Sequence, residues 1–218
     1  MKILTFYTIE NKTRLTRMSK TLIAILGTLG VLLVVALLII GWVSSTYNKL
    51  VQLDEQINQA WAQVENQYQR RYDLIPNLVE TVKGYAKHER EVFTQVTEAR
   101  AKVGQLNISP EVLKDPQAFA RFQQAQDALS SALSRLLAVA ENYPQLKANE
   151  NFLQLQAQLE GTENRISVER RRYNELVQQY NTYVRRFPTN IIAGMFGFRE
   201  RPYFRAVEGA QQAPKVQF

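Results

Sequence analysis

The sequence predicts an all-α protein: an N-terminal transmembrane helix followed by an antiparallel up-and-down four-helix bundle with long helices. Three observations predict it. Residues 22–43 form an uncharged apolar run, apolar residues then recur at spacings of three and four up to residue 187, and glycine and β-rich runs are nearly absent between.

The run LIAILGTLGVLLVVALLIIGWV has 22 residues without a charge. At 1.5 Å per residue it is long enough to cross a hydrocarbon core of roughly 30 Å. It exceeds the roughly 7–15 apolar residues of a cleavable signal peptide, so an uncleaved anchor is expected. Lys12, Arg14, Arg17 and Lys20 precede it, and only Lys49 lies in the next twenty residues. The N-terminus (1–21) is therefore expected in the cytoplasm, with the rest of the chain extracytoplasmic in a cell membrane.

Four seams follow. They are Leu50, Leu53, Ile57, Trp61, Val64, Tyr68 and Tyr72; Leu78, Val82, Tyr85, Glu89, Val92, Val96, Ala99 and Val103; Phe122 to Tyr143; and Phe152 to Phe187. Ser109-Pro110, Tyr143-Pro144 and Phe187-Pro188 offer boundaries. Pro76 lies where the first two seams would otherwise form one helix. Interior proline costs about 3 kcal/mol, so a corner is expected at Asp73–Pro76, giving helices of about 25–40 residues over 44–187; a kinked continuous helix is the alternative.

Four up-and-down helices return the chain to the end where it entered. The segment 188–208 is apolar, glycine-bearing and too short to span, and Arg185, Arg186, Arg199 and Arg201 surround it. With Phe187, Phe196 and Phe198 these arginines are the expected lipid or partner contacts, in an interfacial segment. The competing expectation is that Ile191, Ile192, Phe196 and Phe198 cap the bundle core. Residues 209–218 are expected to be a loose tail.

Net charge is +7, but residues 1–43 carry +4, 185–218 carry +4 and 44–184 carry −1. A basic groove across the bundle is excluded, and nucleic acid with it; charge at the two ends suits anionic headgroups of a lipid bilayer. The chain has no cysteine and one histidine, His88. His88-Glu-Arg-Glu-Val92 has valine where a zinc-protease motif needs its second histidine. No serine triad or phosphate loop is present, so no catalytic residue, metal or cofactor is expected. Polar residues do interrupt the seams: Glu65, Asn66 and Gln67 in the first helix, Glu163, Asn164 and Arg165 in the last. Residue 66 level with about 165 would join them in a buried network that fixes register.

Together, Tyr47-Asn48-x-Leu-Val, Ala60-Trp61-Ala-Gln-Val-Glu-Asn-Gln, RRYDLIPNLVETVKGYAKHE (70–89), Thr97-Glu-Ala-Arg100, Tyr143-Pro-Gln-Leu-Lys-Ala-Asn-Glu-Asn-Phe152, Leu159-Glu-Gly-Thr-Glu-Asn-Arg-Ile166, Arg171-Arg-Tyr-Asn174 and Phe187-Pro-Thr resemble the LemA family over residues 44–205. The resemblance implies an N-terminal membrane helix and a four-helix soluble domain, with no catalytic residues to carry over. It further implies association with membrane zinc proteases of the HtpX kind or with building magnetosome vesicles. The extended basic N-terminus departs from the family's pattern.

The leading expectation is a non-enzymatic single-pass protein of the bacterial envelope whose bundle is a scaffold, adaptor or membrane-organising module. The alternatives are a carboxylate-dependent envelope hydrolase, with two acids in a cleft, and a homo-oligomeric structural coiled coil.

Overall fold

The computed structural model describes the backbone of residues 2–106 and 110–205 and the side chains of residues 20–106 and 112–205. The expected Ser109 cap and the 209–218 tail lie outside the described residues. The chain divides into two compact units, Met1–Lys49 and Leu50–Phe218. In the first, helix α1 (Lys2–Tyr85) carries the apolar run with its side chains exposed, Leu32 at 64% and Leu38 at 68% among them. With a mean hydropathy of 3.1 in its most apolar window, it is the one helix among the described residues long and apolar enough to cross a membrane.

The second unit holds the rest of α1, then α2 (Arg90–Gly104), a 3-10 turn (Pro110–Lys114), α3 (Pro116–Ala140), the short α4 (Pro144–Lys147), α5 (Glu150–Arg185) and α6 (Thr189–Phe196). No strand occurs among the described residues. Local chemistry sets the starts. Asp115 accepts from the Gln117 amide with Pro116 in the first turn of α3, and Asn149 accepts from the Phe152 amide at the start of α5.

The expected corner at Asp73–Pro76 is overturned. Helix α1 runs through Pro76 and ends at Tyr85, the chain turns over Ala86–Glu89, and α2 is only 15 residues long. Proline removes the amide that would bond the carbonyl of Tyr72. Arg100 supplies a replacement, donating from Nε to that carbonyl at 3.3 Å. Its guanidinium lies 3.8 Å from the centre of the Tyr72 ring. Gly104 completes the fit, since a Cβ there would stand 2.9 Å from the Tyr72 hydroxyl.

Direct contacts give the helix directions. Trp61 meets Tyr173 and Arg71 meets Glu163, so α1 and α5 run antiparallel. Trp61 meets Phe119 while Arg71 bonds Gln126 and Ser130, so α3 runs parallel to α1. Arg100 beside Tyr72 places α2 alongside α1. Two parts of the core result. One is mainly aliphatic, with Val79, Val82, Val96, Leu129, Leu133, Leu136, Leu146 and Leu159 packed around Phe152. The other is aromatic: Trp61 has Phe119, Phe122, Tyr173 and Phe204 around it at ring distances of 5.2 to 6.0 Å. Full burial of side chains of this size contributes roughly 1.5–3 kcal/mol each.

Candidate interaction surface

The α6 helix follows Pro188 and ends at Gly197, whose φ of 77° lets the Phe198 amide turn back to the carbonyl of Ala193 at 2.9 Å. Ile192 and Ala193 are buried. Phe187, Ile191, Met195 and Phe196 are 75, 53, 73 and 52% exposed, which makes an apolar surface on a polar unit. Arg185, Arg186 and Arg199 around it are exposed, and Phe198 is half-buried.

Arg201 is not part of that surface. It is 7% exposed and holds the Asp54 carboxylate through Nε at 3.1 Å and Nη2 at 2.6 Å. Its partner Asp54 lies 147 residues away in the chain, so charge alone groups Arg201 with the surface arginines. Ile191 and Phe196, expected in the competing reading to cap the core, are more than half exposed, whereas Ile192 is buried.

From Arg201 to Arg205 the chain is an extended strap. Asn181 accepts from the Arg201 amide at 2.8 Å and donates to its carbonyl at 2.9 Å. Asn174 does the same to Phe204, at 2.9 Å both ways. Gln123 repeats the pattern on Arg205, at 3.2 and 2.8 Å. Tyr173 donates to the Pro202 carbonyl and Arg170 to that of Arg205. Phe204 closes the aromatic cluster against Phe119 and Tyr173, with Arg170 over its ring at 4.6 Å. Sequence reasoning missed this strap. The available signals were two asparagines seven residues apart on α5 and an Arg-Pro-Tyr-Phe run after a glycine terminator.

A second polar centre is built on Arg71, 1% exposed between α1, α3 and α5. It bonds Glu163 and Ser130 through Nη1 and Gln126 through Nη2, and sits 5.1 Å from the Tyr68 ring centre. Of the residues expected in a buried register network, Glu163 is the one bonded here. Glu65 and Gln67 are half-buried, with Gln67 Oε1 fully enclosed, whereas Asn66, Asn164 and Arg165 are exposed. The register explains the difference. With Trp61 opposite Tyr173 and Arg71 opposite Glu163, residue 66 falls level with about 168, nearly a helical turn from the expected 165.

Burial and the Asp54 carboxylate push the Tyr180 hydroxyl up to about 12, against the pull of Arg201. Burial raises Tyr173 and Tyr68 as well. His88 is exposed in the Ala86–Glu89 turn. Among the described residues no group of three or more histidines and carboxylates could hold a metal.

The LemA family profile matches residues 60–218. The chain belongs to the LemA family. LemA relatives include magnetosome protein MamQ 2 of Paramagnetospirillum magneticum, 26% identical over 91% of this chain and 78% of that protein. Magnetosome protein MamQ of Magnetospirillum gryphiswaldense is 26% identical over 91% and 77%. Protein LemA of Metamycoplasma hominis is 24% identical over 74% and 69%. The match takes in α1 from Ala60 onward, α5, α6 and the strap, so the geometry above, Asp54 excepted, sits on the part that places the chain among LemA proteins.

Proposed function

We propose that this LemA-family chain is a non-enzymatic, single-pass membrane protein whose helical unit organises the membrane surface and whose α6 rests on lipid. In this reading residues 22–43 span the bilayer with the N-terminus in the cytoplasm. Residues 44–187 form an up-and-down four-helix bundle outside it, and 188–208 are membrane-proximal. The observation that carries it is the α6 surface: four apolar side chains more than half exposed, rimmed by Arg185, Arg186 and Arg199. Apolar side chains inserted to the acyl boundary with arginines at headgroup level are how an interfacial helix binds anionic lipid. Asp54, only eleven residues after the apolar run, is joined to Arg201, five residues after α6. Two of the relatives are magnetosome proteins by name, which agrees with a role at a membrane.

The chain has no cysteine, so single-site labelling is direct. An NBD fluorophore on Met195→Cys in the full chain, in nanodiscs containing anionic lipid, is expected to be quenched by doxyl-labelled lipids. The same probe on Lys87→Cys, in the Ala86–Glu89 turn, is expected not to be. Equal quenching at both positions would sink the lipid contact.

A further inference from the structure

We infer that the α6 surface selects anionic phospholipid, and that Arg186 and Arg199 do the selecting by meeting lipid phosphates, while Arg185 and Glu200 cancel each other. The inference rests on α6 touching lipid, and it adds which headgroup is taken and through which side chains. The chain leaves α5 at Arg185 and is back beside it by Glu200, whose carboxylate stands 4.0 Å from Arg185 Nε. One residue further on, the Arg201 amide is bonded to Asn181 of α5. Residues 186–199 are therefore an excursion with both feet at the end of α5. Arg186 and Arg199 are those feet. Between them no residue from Phe187 to Phe198 carries a charge, and Phe187, Ile191 and Met195 are its most exposed apolar side chains.

The arginines around this excursion are not equivalent. Arg201 is buried on Asp54, and Arg185 faces Glu200 and donates to the Asn181 carbonyl at 3.4 Å. Arg186 and Arg199 are exposed, and among the described residues no hydrogen bond or ion pair engages either guanidinium. Residues 185–200 hold three arginines and one glutamate, so with Arg185 set against Glu200 the net +2 resides on the two feet. A guanidinium meets phosphate oxygens with paired N–H donors. A bilayer presents the matching order, with phosphates outside and acyl chains within. A protein partner would instead be met by hydrogen-bonding groups among the apolar side chains, and from Phe187 to Phe198 only Asn190 exposes a polar one. The chain also carries a helix long and apolar enough to cross a membrane. Arg171 and Arg172 are exposed too, but Arg172 precedes Arg186 by fourteen residues, about 21 Å along α5. That is more than twice the screening length of about 8 Å at physiological salt.

The test places the full chain, with an NBD fluorophore on Met195→Cys, in nanodiscs of phosphatidylcholine and phosphatidylglycerol in equal amounts, with a trace of doxyl label on one lipid or the other. Doxyl-phosphatidylglycerol is expected to quench at least about threefold more strongly than doxyl-phosphatidylcholine, a floor below the about fivefold that one basic residue supplies at an anionic surface. Arg186→Gln with Arg199→Gln is expected to remove the difference. Arg171→Gln with Arg172→Gln, the same change in net charge, is expected to keep it. Glu200→Gln, which frees Arg185, is expected to widen it. Equal quenching by the two lipids in the otherwise unaltered chain overturns the selection and leaves the lipid contact standing. Quenching by neither overturns the lipid contact and the inference with it. A difference lost as fully in the Arg171 and Arg172 variant as in the Arg186 and Arg199 variant assigns the preference to net charge and overturns the role of the two feet. No widening with Glu200→Gln overturns the cancellation of Arg185.

Discussion

Arg100 donates to the main-chain carbonyl of Tyr72 at 3.3 Å, the acceptor that Pro76 leaves without its helical amide. A proline that should end a helix is thereby carried in the middle of one, because a residue on α2 repairs the hydrogen bond that α1 cannot make. Removing the repair by Arg100→Ala is expected to cost about 1–3 kcal/mol in urea unfolding, as loss of a charged donor does. Pro76→Ala restores the amide and is expected to stabilise. In that background Arg100→Ala should cost about half as much, the remainder being its stacking on Tyr72. Additive costs in the double-mutant cycle would show the two residues to be independent.

Arg71 makes a different kind of junction, tying α1 to α3 and α5 from a fully buried position. Breaking a buried pair leaves the other charge stranded and costs about 3–5 kcal/mol. Glu163 is 38% exposed, so water relieves part of that. Arg71→Met is therefore expected to cost about 2–4 kcal/mol in chemical denaturation. Arg71→Lys should recover little, because an ammonium cannot span Glu163, Ser130 and Gln126 as a planar fork does. Combining Arg71→Met with Glu163→Gln should return part of the loss; a double variant no better than Arg71→Met would count against the stranded charge.

The seams that rest on period alone were legible. Leu50, Leu53, Ile57, Trp61, Val64 and Tyr68 are all buried, as are Phe152, Leu159, Ile166 and Tyr173. Pro76 misled because its local penalty is visible in the sequence and its repair by Arg100 is 24 residues further on. Phe187, an apparent member of the last seam, is 75% exposed because the helix ends at Arg185. Residue type alone does not say which of Arg201 and the polar residues at 65–67 and 163–165 is buried. Whether such a side chain is buried depends on a register that period fixes only to within a turn, and on partners such as Asp54 that no local pattern announces.

The bond between Asp54 and Arg201 makes a prediction about local motion. Asp54→Asn keeps the side chain's shape but removes its charge, so the strap should open more often while the helices stay closed. Hydrogen exchange at the Arg201 and Phe204 amides, bonded to Asn181 and Asn174, is expected to quicken at least tenfold. Amides beside Val82 and Leu133 should keep their rates. Quickening throughout the unit would mean that the pair supports the whole fold.

Alkaline stability follows from the buried tyrosines. Tyr180 is raised to about 12, and Tyr173 and Tyr68 are raised too, all chiefly by burial. An unfolded tyrosine loses its proton near pH 10, whereas these keep theirs in the folded chain. The folded state therefore binds more protons between the two values, and stability falls as pH rises. Their contribution is intact below about pH 10 and is lost progressively as pH climbs through the folded values, at about 1.4 kcal/mol per unit for each tyrosine still protonated. Denaturant midpoints measured from pH 8 to 11.5 should be flat at first and then drop. Tyr180→Phe has no proton to lose, so its midpoint should fall less steeply above pH 10; a slope as steep as that of the unaltered chain would mean that Tyr180 ionises within the folded state.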